Sequence, residues 1–73
     1  MNKVRVQKNG TTIQIGRKLR SIRERKGLTL KNLAGMTSLS ESLLSQIERG
    51  RVSPSLDSLM SITGALEIDP EYL

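Results

Sequence analysis

The chain contains no cysteine, histidine, tryptophan or phenylalanine, and its one aromatic residue is Tyr72. Each absence closes a class of function. Without cysteine there is neither a disulfide nor a thiolate site, and with histidine also missing the usual zinc and copper ligands are gone, so neither metal nor cofactor is expected. Nine serines are present. With no imidazole base, no glycine-rich phosphate loop and no carboxylate pair at recognisable spacing, they do not read as an enzyme's nucleophiles. One aromatic is too few for the stacking platforms of RNA-binding domains. No apolar run approaches the roughly 20 residues of a membrane span. The basic start is not followed by the apolar segment of a secretory signal, so no membrane role is expected and the cytoplasm is the default location.

What remains is short, aliphatic and basic. Leu, Ile and Val make up 20 of the 73 residues, above the roughly 20% floor of disordered chains, so the sequence is expected to fold. A chain this short buries only about 60% of its unfolded surface, which allows one small domain with a simple core. The net charge of +5 is unevenly spread. Residues 1–31 hold ten of the twelve Lys and Arg against the single acid Glu24; from residue 32 onward Arg49 and Arg51 face six acids. A basic half beside an acidic half points to a polyanion on one side, although a charge run by itself often only solubilises.

Hydrophobic spacing predicts an all-α domain of five helices over residues 13–73, preceded by a flexible basic arm over residues 1–12. The first helix spans about Ile13 to Lys26, with Ile15, Leu19 and Ile22 as its buried stripe, Thr11 and Gln14 at capping-box spacing, and Gly27 as left-handed C-cap. Thr29 caps a second helix carrying Leu30, Leu33 and Ala34, and Ser40 caps a third whose inward side is Leu44 and Ile47. Ser55 caps a fourth that buries Leu56, Leu59, Ile62 and Leu66. The fifth opens on Asp69 with Pro70 in its first turn. Val4, Val6, Ile13 and Ile15 also alternate around Asn9-Gly10, which is a hairpin signal. An isolated hairpin is marginal in water and would consume the start of the first helix, so the arm is the preferred expectation. Such an arm is able to reach phosphates or a minor groove.

The two helices joined by the short break at Thr37–Leu39 form a helix-turn-helix over about residues 29–48. A corner this tight holds the second helix at a fixed angle, as reading base edges in a major groove requires. At about 100° per residue, Ser40, Leu44, Ile47 and Glu48 turn inward while Ser42, Ser45, Gln46 and Arg49 face out, with Glu41 at the edge of the first turn.

From Ile15 to Leu73 the pattern I-G-x-x-L-R-x-I-R, G-L-T-L, L-A, L-S, L-S-x-I-E-R-G, P-S-L, L and A-L resembles the DNA-binding domain of the phage Cro and lambda-repressor type, also known for the xenobiotic response element. It looks most like the subset that often precedes a C-terminal ligand-sensing cupin barrel. The resemblance implies a five-helix fold, a homodimer on a near-palindromic double-stranded operator, and transcriptional regulation, usually repression. It places the base-reading positions on Glu41, Ser42 and Gln46, and pairs Glu48 with Arg23 as a structural ion pair. Gln46 is able to donate to and accept from adenine, Ser42 discriminates weakly, and a carboxylate at Glu41 suits the helix dipole or cytosine N4. Phosphate contacts are expected from Arg17, Arg49 and Arg51 and from the helix-two start near Thr29, Leu30 and Lys31, with Ser40 and Ser45 in contacting or supporting roles.

Departures from the family pattern carry their own expectations. Ser38 stands where the turn usually has Gly, and a left-handed backbone there would cost roughly 1–2 kcal/mol. Leu30 replaces a phosphate-binding Gln of many relatives. Gly35 and Gly64, each costing nearly 1 kcal/mol inside a helix, are expected to permit close packing. The rival function is a protein-interaction module, such as an antitoxin or an enzyme's assembly domain. That class usually buries apolar residues on the face that Ser42, Ser45, Gln46 and Arg49 make polar here.

Overall fold

Capping bonds mark the helix boundaries. In the computed structural model, which describes residues 10–73, α1 runs Gly10–Arg25, α2 Leu30–Met36, α3 Glu41–Glu48 and α4 Leu56–Leu66, followed by a 3₁₀ turn at Pro70–Tyr72. No strand occurs among the described residues. Thr29, Ser40 and Ser55 each accept a backbone N–H three residues on, from Asn32, Leu43 and Ser58. These bonds fill donors that a helix start leaves orphaned, worth about 1 kcal/mol each. α1 ends where Gly27 turns left-handed, and the Leu28 N–H reaches back to the Arg23 carbonyl at 3.1 Å.

Several expectations are corrected. Among the described residues four α-helices form, not five: beyond Asp69 the chain makes only the i→i+3 bonds Tyr72 N to Asp69 O and Leu73 N to Pro70 O. α1 begins at Gly10, so Thr11 lies inside it and is no cap, and residues 10–12 are helical where an arm was expected. The reason is tertiary. A Cβ on Gly50 would meet Ile13 Cγ1 at 2.8 Å, so the first turn of α1 packs against the end of α3, and Thr12 in that turn is only 3% exposed. Ile13 and Ile15 being helical also removes the second strand of the hairpin alternative. The rest of the expected arm, residues 1–9, lies outside the described residues.

The core joins Leu19 and Ile22 of α1, Leu33 of α2, Leu44 and Ile47 of α3, and Ile62 and Leu66 of α4. Burial of each such side chain contributes roughly 1.5–3 kcal/mol. Leu59 is half-buried, but Leu56, expected inside, is 73% exposed because the first turn of α4 extends past the edge of this cluster. Thr63 is buried in α4 as well, its hydroxyl donating to the Met60 carbonyl at 3.2 Å. Among the described residues no helix is long and apolar enough to cross a membrane.

Candidate nucleic-acid interface

The angle of α3 is set first at the corner Thr37–Ser40. Thr37 is extended (φ −122°, ψ −179°), and its hydroxyl donates to the Leu33 carbonyl at 3.0 Å while accepting the Leu39 N–H at 3.2 Å. One side chain thus ties the end of α2 to the approach of α3. Ser38 is not left-handed, which corrects the expected strain at that position. The only non-glycine residue with positive φ among those described is Glu67, at 60°. Left-handed backbone carries its cost of about 1–2 kcal/mol there, at the end of α4.

α1 then clamps α3 from behind. Arg23 Nε and Nη2 donate to Glu48 Oε2 at 2.8 Å and Oε1 at 3.0 Å, a two-pronged pair, and Arg23 Nη1 donates to the Leu28 carbonyl at 2.7 Å. Both side chains are 8% exposed at the residue level. The hydrogen bond to Glu48 raises the Arg23 pKa, with burial lowering it and the charges of Glu48 and Glu24 raising it further. Every guanidinium nitrogen is therefore committed within the protein. Next to it Gly16 brings the two helices close: a Cβ there would collide with the Ile47 carbonyl oxygen and lie 2.7 Å from that of Glu48. Sequence reasoning assigned Gly16 no role, although it stood in the I-G-x-x-L pattern.

With its inner side held by Leu44, Ile47 and Glu48, α3 presents Glu41, Ser42, Gln46 and the capping residue Arg49 to solvent; Ser45, expected to face out, is half-buried, and Ser40, expected inward, is exposed because it caps the helix from outside its first turn. Glu41, Ser42 and Gln46 occur at i, i+1 and i+5, within one exposed sector of the helix. Past Arg49 the chain turns at Gly50 (φ 76°), and the Arg51 N–H closes the helix end on the Gln46 carbonyl at 2.9 Å. Arg49 and Arg51 are exposed on either side of that buried glycine. At the start of α2 the Thr29 Oγ accepts from Asn32 and the Asn32 side chain accepts from the Thr29 N–H at 3.0 Å, a reciprocal box that sequence reading did not name. This leaves the Thr29 hydroxyl proton to donate outward. Arg17 and Lys31 are exposed, and among the described residues Arg17, Lys31, Arg49 and Arg51 have no ion-pair partner.

A helix-turn-helix family model matches residues 19–73. The chain belongs to the helix-turn-helix family of the Cro and lambda-repressor type. Within that family it is 43% identical over 51 residues to the HTH-type transcriptional regulator DdrOP3 of Deinococcus deserti, covering 70% of this chain and 40% of that protein. It is likewise 43% identical over 54 residues to the immunity repressor protein of Bacillus phage phi105, covering 74% and 38% respectively. The chain thus spans about two fifths of the length of these relatives. Its fold is similar to that of the restriction-modification controller protein C.AhdI from Aeromonas hydrophila, with a TM-score of 0.80 at 33% identity, covering 82% of this chain and 91% of that one. It is also similar to the clp gene regulator ClgR from C. glutamicum, with a TM-score of 0.79 at 38% identity, covering 84% and 79%.

Proposed function

We propose that this helix-turn-helix protein is a transcriptional regulator that binds duplex DNA by inserting the segment 40–49 into the major groove, and that it acts as a repressor. The observation that carries this reading is the polar outer face of α3, where exposed Glu41, Ser42 and Gln46 stand beside unpaired Arg49 and Arg51 on a helix held rigidly from behind. Gln46 is the main reader, through paired bonds to adenine N6 and N7. Arg17, Lys31, Arg49, Arg51 and the Thr29 hydroxyl contact phosphates; Ser40 holds the start of α3 and Ser45 its flank. The naming of the phi105 relative as an immunity repressor supports the sign of regulation. Two copies acting together would place their helices about 34 Å apart on a near-palindromic site. The location that follows from this role is the cytoplasm.

The test is selection of bound duplexes from a random pool at low and moderate salt, with the wild-type chain and Gln46→Ala side by side. The expected result is an enriched inverted repeat whose half-sites lose preference at one position in the variant. Retention that vanishes with salt and enriches no sequence would overturn the reading.

A further inference from the structure

The proposed DNA contacts do not use all of the basic half. On α1, Arg20 pairs with Glu24 at 3.1 Å and Arg23 with Glu48 at 2.8 Å, while Arg17 is assigned to phosphate. Lys18, Arg25 and Lys26 remain, exposed and with no carboxylate within ion-pair distance among the described residues. Two of the three line one groove and the third stands at its edge, over Tyr72. Arg25 and Lys26 line a groove of about 410 Å³ between the end of α1 and the 3₁₀ turn, floored by Ile22, Ile68 and Tyr72. The Lys18 ammonium stands over the Tyr72 ring, 5.9 Å from its centroid. The one acid at the rim, Asp69, spends an oxygen on the Glu71 N–H.

We propose that this groove is a binding site for an apolar monocarboxylate, with its hydrocarbon body on Ile22, Ile68 and Tyr72 and its carboxylate between Arg25 and Lys26. The volume lies within the range of small-molecule sites, which join an apolar lining to a few placed polar groups. A hydrated inorganic anion would satisfy the cations but gain nothing from the floor, and an uncharged hydrocarbon would leave the cations unused. A carboxylate is the small group that a guanidinium binds with two parallel bonds. None of the groove's lining residues takes part in the Gly16 and Arg23 contacts with α3 or belongs to the face α3 presents. The inference therefore stands independently of DNA binding.

Tyr72 is the only aromatic residue in the chain, so its ring signals and fluorescence report this groove alone. The experiment titrates the 73-residue chain with octanoate, octan-1-ol and inorganic phosphate, following the Tyr72 ring and the backbone amides by NMR. Octanoate is expected to shift Tyr72, Ile22, Lys26 and Ile68 saturably while Ser42 and Gln46 stay in place, with octanol and phosphate at least tenfold weaker. The double variant Arg25→Gln, Lys26→Gln is expected to lose at least tenfold in octanoate affinity, and the charge-keeping Arg25→Lys, Lys26→Arg pair to retain it. Both pairs alter exposed residues and leave the core intact. An equal response to phosphate, an equal response to octanol, or ring shifts that follow protein concentration and ignore octanoate would each overturn the proposal, the last by giving the groove to a second copy of the chain.

Discussion

Glycines of the same composition class have opposite meanings in this chain. A methyl group added at Gly35 or Gly64 meets nothing within 4 Å, so the close packing expected of these two positions is absent. Gly35→Ala and Gly64→Ala should each raise stability by nearly 1 kcal/mol, read as a higher urea midpoint with an unchanged slope. Gly16→Ala should do the reverse and strongly, because the added carbon would have to displace the backbone of α3 at Glu48. Glu67 is the complementary case, a side chain at φ 60° where glycine is strain-free. Glu67→Gly should stabilise by about 1 kcal/mol, and a lower thermal midpoint would contradict the assigned strain.

At the scale of the elements, α3 combines an anchored back with an unpaired front. Glu41, in its first turn, gains from the helix dipole, but on the proposed DNA-binding reading it would stand where phosphates approach. Glu41→Ala is accordingly expected to raise overall affinity while relaxing preference at one base pair; an equal change on every duplex, measured on a panel of single-position variants of the selected site, would remove Glu41 from base reading. The helix boundaries that depend on neighbouring residues were legible in the sequence, since Thr29, Ser40, Ser55 and Gly27 act on backbone groups within four residues or so. Ser42, Gln46 and Arg49 on the outward side of α3 were legible from the rotation that Leu44 and Ile47 fix, whereas the half-buried Ser45 and the exposed Ser40 were not. Features set by distant partners were not. The start of α1 depends on Ile13 meeting Gly50, and Leu56 is exposed because the core ends before the first turn of α4. At the corner the sequence signal was the missing glycine at Ser38, whereas the device that replaces it is the Thr37 hydroxyl. The groove at Tyr72 had no local signature, because its walls are 42 or more residues apart in sequence.

In the whole molecule the Arg23–Glu48 pair joins side chains 25 residues apart. Glu48→Ala would leave the buried guanidinium with the Leu28 carbonyl and only the more distant Glu24 carboxylate, at 4.0 Å, a change that costs about 3–5 kcal/mol. Loss of DNA binding in this variant should track loss of helical signal in a denaturation series; a variant that stays folded and fails only to bind would contradict a structural role. The pH dependence follows from the raised Arg23 pKa. A group whose folded pKa lies above its unfolded value contributes in full below the unfolded value and is lost only as pH rises through the folded one. For an arginine that window is strongly alkaline, so the Arg23 contribution should be constant across roughly pH 6–9, which urea midpoints at several pH values would check.

The corner and the clamp also differ in when they form. The Thr37 bonds to Leu33 and Leu39 close loops of four residues and two, while the Arg23–Glu48 pair has to bring together segments 25 residues apart. Loop-closure entropy favours the short loops, so the α2–α3 corner is expected to form before the clamp is fastened. Stopped-flow rates should then show Thr37→Val slowing folding and Glu48→Ala chiefly speeding unfolding, so that a hydroxyl in the turn sets how fast the protein folds and an ion pair behind the helix how long it stays folded.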